Sequence, residues 1–251
     1  MRVRFEKLGK IRFLSHRDLA RIWERSLRRA GISVAYSEGF SPRPRLHFGL
    51  ALSTGHESLG EYLDIDLAPD ADVGVEDLAQ RVNPYLPAGM VATAAAPVAP
   101  GTDSLQQAVT SSSWQLEVVG PDRTLAAARI AVAMAAPSLP IVVERKGSSI
   151  EVDARPAILA LDLAPESAMA PTQGATPLRP SSVLLTELAT QPRSLRPAEL
   201  VRALDPTWVE GRVLRTHQWT LVDGARLEPI PLSEGGPRGA TSTPHAHERA
   251  S

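Results

Sequence analysis

The chain has 251 residues, of which 43% are hydrophobic and 22% are charged, so it is long enough for one large domain or two small ones. It contains no cysteine, which excludes disulfides, thiolate nucleophiles and cysteine-ligated iron–sulfur or zinc sites within this chain. The net charge of −1 conceals an asymmetry, because residues 1–50 carry a net +8 and the other residues carry −9. This distribution predicts a basic surface in the N-terminal part and an acidic remainder.

No stretch approaches the roughly 18 consecutive apolar residues that a membrane-spanning helix needs. The N-terminus is charged and has the alternation of a strand, which is not typical of a signal peptide. We therefore expect a soluble cytoplasmic protein that does not contact a membrane.

The first predicted elements surround the basic residues. Residues 2–14 alternate apolar and charged side chains, which predicts two strands or a bent hairpin. Ser15 then caps a predicted helix that ends at Gly31 and has one apolar face and one arginine-rich face. A short strand at 32–36 leads into loop 37–45, in which two prolines at alternate positions favour a stiff, extended chain.

The next predicted strands and helices complete the element order of the N-terminal part. Strands are predicted at 46–51 and 61–67, followed by an amphipathic helix at 75–86 and a strand at 90–94. The order strand–helix–strand–strand–helix–strand is the split βαβ pattern of ferredoxin-like folds. Such a unit is a four-stranded sheet with both helices on one face, which leaves the other face free for a partner.

The second half repeats this order with additions. After an Ala- and Pro-rich stretch, the predicted elements are a strand at 114–119, a helix at 122–134, strands at 141–145, 149–152 and 158–163, helices at 183–190 and 197–204, and a strand at 212–222. We therefore predict an α+β protein made of two ferredoxin-like units in tandem, the second decorated or degenerate. The predicted domain plan is an N-terminal domain at 1–95, a linker or long loop at 96–113, a second domain at 114–232 with a flexible insertion around 164–182, and a disordered tail at 233–251.

Catalytic motifs are not visible in the sequence. The six histidines show no metal-ligand spacing, and there is no nucleophile elbow, phosphate-binding loop or dinucleotide fingerprint. We accordingly expect no metal and no cofactor, and we favour a noncatalytic protein over the alternative of an enzyme without a recognisable motif. His16 and His47 are the candidates for general acid–base catalysis if the protein does act on RNA.

The basic residues give the strongest functional indication. Guanidinium groups match phosphate oxygens in pairs, and a rigid loop loses little entropy when it holds them in place. The residues predicted to bind an anion are Arg17, Arg21, Arg43, Arg45, His47 and Phe40. For Arg28 and Arg29 a solvated helix surface is the better interpretation, and the same patch could instead dock an acidic protein surface.

Four motifs in residues 14–67 carry a resemblance to a known family. LSHRDL begins the first helix, AYSEGFSPRP forms the loop, and LHFGLAL and EYLDIDL form two strands, all in this order. The segment resembles the radical-SAM-linked protein family, a bacterial group with no assigned function. The resemblance implies an association with a cobalamin-binding radical-SAM protein, as a neighbouring gene product or a fused domain, and it carries over no catalytic residues.

Two functions follow from these observations. The first is a noncatalytic partner or substrate-presenting protein for a radical-SAM enzyme, which binds RNA or another anionic ligand through the basic loop. The alternative is a free-standing RNA-binding or RNA-processing protein. Its topology is similar to that of repeat-associated RNA-processing proteins, which pair ferredoxin-like domains with a basic cleft.

Overall fold

The computed structural model describes residues 1–145, 147–165 and 180–230. These residues form an α+β fold around a nine-stranded mixed sheet, with a separate two-stranded sheet. The predicted tail at 233–251 lies outside the described residues, and so does most of the predicted flexible insertion, at 166–179.

The N-terminal half contains six regular elements. They are β1 (Arg2–Lys7), α1 (His16–Arg29), β2 (Leu46–Phe48), β3 (Glu57–Ile65), α2 (Val75–Val82) and β4 (Met90–Ala96). The predicted helix after Ser15 is confirmed, whereas the second strand predicted within 2–14 is wrong, because residues 9–13 form a 3-10 helix. Gly9 has a φ of 69° that turns the chain out of the strand, and its N–H donates to the Glu57 carboxylate at 2.6 Å.

The C-terminal half contains the remaining elements. They are α3 (Leu105–Ala108), β5 (Val109–Val119), α4 (Arg123–Ala135), β6 (Pro140–Arg145), β7 (Ser148–Asp153), β8 (Ile158–Leu163), β9 (Ser181–Ala189), α5 (Pro197–Leu204), β10 (Val209–Val222) and β11 (Ala225–Leu227). Within residues 96–113, which were predicted as a linker or long loop, the structure has α3 and the start of β5. The helix predicted at 183–190 is wrong, because this segment is β9. It pairs with β5 on one side and β8 on the other, and this pairing outweighs the helix-compatible composition.

The two halves share the large sheet. Its strand order is β4-β1-β3-β10-β5-β9-β8, with β2 also paired to β3 and β11 to β10. The halves meet where β3 and β10 run parallel, with Leu214 opposite Glu57 and Arg215 opposite Ser58. β2 pairs with the other end of β3, from Leu63 to Ile65. The division into domains at 1–95 and 114–232 stays a prediction.

Each half has its own apolar core. In the N-terminal half, α1 and α2 cover β1, β3 and β4, and Phe5 meets Trp23 edge to face with ring centroids 5.1 Å apart. In the C-terminal half, α4 and α5 pack against β5, β8, β9 and β10 around residues such as Leu116 and Leu184. Among the described residues, no helix is both long and apolar enough to cross a membrane.

Candidate nucleic-acid interface

Loop 37–45, which we call the basic loop, is closed by its own backbone. The N–H of Ser37 donates to the carbonyl of Arg43 at 2.8 Å, and the N–H of Arg45 donates to the carbonyl of Ala35 at 2.9 Å. The Ser37 hydroxyl accepts a further bond from the N–H of Arg43 at 3.0 Å. Residues 38–42 therefore form a constrained tip, in which Gly39 adopts a φ of 119° that disfavours side chains.

Phe40 occupies the tip of the basic loop and is fully exposed. Tyr36, at the base of the loop, is half exposed, and its residue forms an isolated β-bridge with Pro44. Exposed aromatic rings on a constrained loop are unfavourable in water unless a partner covers them. Their flat faces suit the stacking of nucleic-acid bases. Tyr36 was not among the predicted site residues, although it stands within the AYSEGFSPRP motif.

The two arginines of the basic loop have different surroundings. Arg45 donates to Asp66 at 2.9 Å, and His47 reaches the same carboxylate oxygen at 3.5 Å. Arg43 is exposed, and in the part of the chain that the structure describes its guanidinium has no ion-pair partner. Arg43 is thus available to an external anion, whereas part of the charge of Arg45 is offset by Asp66.

The start of α1 adjoins the strand that follows the basic loop. The ring of His16 lies 5.0 Å from the ring of Phe48 in an edge-to-face contact, which joins α1 to β2. Arg17 and Arg21 on α1 are both exposed, and Arg21 lies 3.5 Å from Asp18 in an exposed pair that contributes little. The structure therefore joins α1 to the β2 end of the basic loop through this contact.

The geometry adds little to the acid–base prediction for the two histidines. His16 borders a cavity of only about 20 Å³, which is the size of a water molecule. His47 is exposed beside Asp66. The described residues contain no cluster of three or more His, Asp or Glu side chains that could hold a metal ion.

Three basic residues of β1 are internal, so this strand does not contribute its charges to the basic surface predicted for the N-terminal part. Arg2 makes two bonds to Asp64 at 2.7 and 2.9 Å, and Arg4 lies 3.4 Å from Glu228. Lys7 is buried against backbone carbonyls, and its burial lowers its pKa from the usual value. On that side of the sheet Glu228 contacts Arg4 and Tyr62, and Ile230 packs with Tyr62. Arg17 and Arg21 on α1 and Arg43 in the basic loop, by contrast, are exposed.

Comparison with known families gives one result. A family model described as "Uncharacterized protein conserved in bacteria (DUF2344)" matches residues 1–197, and this range includes α1, the basic loop and β3. No curated protein matches the sequence.

Proposed function

Because the chain belongs to DUF2344, a bacterial family whose description assigns no activity, we propose that it binds single-stranded RNA through the basic loop and α1 and acts as a noncatalytic partner of a radical-SAM enzyme. One observation carries the RNA-binding part. Phe40 is fully exposed on a backbone-closed loop that also presents Arg43, for which the described part of the chain supplies no ion-pair partner.

RNA suits this surface better than an acidic protein does. Arginine can neutralise a backbone phosphate, while Phe40 and Tyr36 offer ring faces to unpaired bases. Two aromatic rings at one loop are typical of sequence-tolerant stacking rather than of base-edge readout. An acidic protein surface would use the arginines but would gain less from two exposed rings.

The partner part of the proposal rests on resemblance. Residues 14–67 resemble the radical-SAM-linked family, and the absence of cysteine means that this chain cannot itself ligate a cluster through thiolates. The alternative, a free-standing RNA-processing protein, would use His16 or His47 as the acid–base group. Association with a radical-SAM protein that survives RNase treatment distinguishes the first function from the second.

The tandem ferredoxin-like arrangement is likewise our proposal, and the strand orders support it. Strands of the N-terminal half follow the order β4-β1-β3-β2, and those of the C-terminal half follow β10-β5-β9-β8. Counted within each half, both orders are fourth-first-third-second, with β6 and β7 left out as an inserted hairpin. In two such units, α1 and α2 would cover the N-terminal part of the sheet, and α4 and α5 would cover the C-terminal part.

The experiment measures the salt dependence of binding to a fluorescein-labelled single-stranded RNA of mixed sequence. Arg43→Ala should weaken binding and reduce the slope of log K against log salt by about 0.7, because one phosphate contact is lost. Phe40→Ala should weaken binding about tenfold without changing the slope, since stacking releases no counterions.

Arg202→Ala is the matched control. Arg202 is exposed on α5 and has no ion-pair partner in the described ranges. Its replacement by alanine changes the net charge by the same amount as Arg43→Ala does. If Arg202→Ala weakens RNA binding as much as Arg43→Ala does, the basic loop does not hold RNA. The same conclusion follows if the protein does not bind RNA at low salt.

A further inference from the structure

A cleft of about 490 Å³ lies where the two halves meet. We call it the junction cleft; its walls are residues 50–54, Ser112 with Trp114 on β5, Leu188 with Thr190, residues 194–197, and Arg215 on β10. It lies beside β3 where β2 has ended at Phe48 and β10 has joined at Glu57 and Ser58. This volume is in the range of pockets that hold small molecules.

Two buried polar atoms in the wall of the junction cleft have no partner among the described residues. They are the hydroxyl oxygen of Ser112 and the indole nitrogen of Trp114, whose residues are 2% and 9% exposed. Leaving a buried polar group unpaired costs about 1–3 kcal/mol, and an indole N–H can only donate. Two unpaired groups on one wall therefore indicate that a ligand supplies the missing acceptor.

The opposite face of β5 provides an internal comparison. There the Ser111 hydroxyl donates to Glu187 at 2.6 Å, and the Ser113 hydroxyl accepts from the indole N–H of Trp219 at 2.8 Å. Alternate residues of one strand point to opposite faces. On this strand, the Ser111 and Ser113 hydroxyls on the far face have partners, whereas the Ser112 hydroxyl and the Trp114 indole, whose residues line the cleft, have none among the described residues.

The charge around the junction cleft is positive. Arg215 is 1% exposed, and its guanidinium lies over the Trp114 ring, 5.4 Å from the ring centroid. Its Nη2 donates to the Glu61 carboxylate at 2.5 Å and to the Leu50 carbonyl at 3.0 Å. Lys7 and Glu61 both line the small cavity beyond residues 50–52; Glu61 is ion-paired with Arg215, and its charge also acts on Lys7 through space. Arg196, at the start of α5, adds a further cation, and none of the lining residues is acidic. Excess buried positive charge favours an anionic ligand.

Apolar side chains lie among the polar ones in the rest of the wall, which also contains Ser53, Thr54, Thr190 and Ser194. Leu52, Leu188 and Leu195 line the junction cleft together with the ring of Trp114. An apolar patch with a few convergent donors is typical of a site for a small organic molecule that is oriented by one polar end.

We infer that the junction cleft binds a small organic anion, in which a carboxylate or a phosphate is attached to a flat apolar body. The anionic group accepts hydrogen bonds from the Trp114 indole and the Ser112 hydroxyl, in the field of Arg215. The apolar body lies against the leucines. This site is separate from the basic loop and does not depend on RNA binding.

The test is a titration of the full chain, labelled with nitrogen-15, and followed by the indole N–H signals in NMR spectra. The probes are 2-naphthoate, 2-naphthyl phosphate and the neutral 2-naphthamide; comparing the first two shows which anionic group is preferred. We expect at least one anion to shift the Trp114 signal saturably and to bind at least about tenfold tighter than the amide, because a hydrogen bond to a charged group contributes more. The Trp219 indole, already bonded to Ser113, should not move.

Ser112→Ala should weaken the anion about tenfold and leave the amide less affected. The comparison of anion with amide uses the wild-type chain, so it holds even if this variant folds poorly. The inference is wrong if neither anion shifts the Trp114 signal up to about 5 mM, if the amide binds as well as the anions, or if the Trp114 and Trp219 signals shift alike.

Discussion

Glu61 shows how burial, rather than charge alone, decides the role of a residue. Its carboxylate accepts from Nη2 and Nε of Arg215, at 2.5 and 3.1 Å, and it also faces the cavity that Lys7 lines. All three residues are less than a tenth exposed. Since an unpaired buried charge is strongly destabilising, Glu61 stabilises two cations that would otherwise be unfavourable.

Glu61→Gln should therefore lower the free energy of unfolding by about 3 kcal/mol, because both buried cations lose their counter-charge. Urea denaturation measures this change. The control is Glu76→Gln on α2, where the glutamate is exposed and the change should stay within about 0.5 kcal/mol. Equal stabilities of the two variants would show that Glu61 is not needed to balance Arg215 and Lys7.

The same reasoning explains what charge counting missed in β1. The charge count included Arg2, Arg4 and Lys7 in the basic N-terminal surface, although all three are buried. Alternation places Arg2 and Arg4 on the opposite face from Val3 and Phe5, but it did not show that acids from distant parts of the chain, Asp64 and Glu228, would pair with them. Arg17 and Arg21 on α1, Arg43 in the basic loop and Lys10 after β1 stayed exposed.

At the scale of single elements, local sequence signals were most informative where the interactions are local. The Ser15 hydroxyl accepts from the N–H of Asp18 at 3.2 Å and donates to its carboxylate at 2.7 Å, as the cap signal at the start of α1 predicts. Prolines at 42 and 44 predicted a stiff loop, and the structure adds the backbone bonds that close it. In β9, by contrast, pairing with two distant strands set the conformation.

Ser15→Ala should destabilise the protein by about 1 kcal/mol, because the N–H of Asp18 loses its acceptor and α1 loses its cap. Urea denaturation measures this change in the free energy of unfolding. Ser33→Ala, at an exposed serine outside the helices and strands, is the control and should have almost no effect. If Ser15→Ala lowers the free energy of unfolding no more than Ser33→Ala does, packing alone fixes the start of α1.

For the molecule as a whole, the pairing of β3 with β10 is the feature that joins the two halves into one sheet. Besides the paired backbones, Nε2 of Gln218 donates to the carbonyl of Gly60 at 2.6 Å, and Arg215 reaches Glu61 and Leu50 across the same boundary. Buried hydrogen bonds of this kind couple the two cores. The junction cleft is a direct result of this arrangement.

We predict that the two halves unfold together. Native-state hydrogen exchange should show that the amides of β1 and those of β9 exchange through openings of equal free energy and equal denaturant dependence, because the shared sheet links their cores. Amides of the exposed β6–β7 hairpin, which forms its own sheet, serve as the control and should exchange through smaller openings. If β1 loses protection at clearly lower denaturant than β9, the halves are separate folding units.

The sequence by itself determined the α+β class, the amphipathic α1 with its cap, the stiff basic loop, and the candidate residues Arg17, Arg43 and Phe40. These features depend on residues within a turn or two of one another, and local periodicity reports such interactions. Only the tertiary structure decided that the two halves share one sheet, that several β1 cations are buried, and that Ser112, Trp114 and Arg215 line one cleft. Those features depend on pairings between residues about 60 or more positions apart, and no local pattern encodes which strand pairs with which.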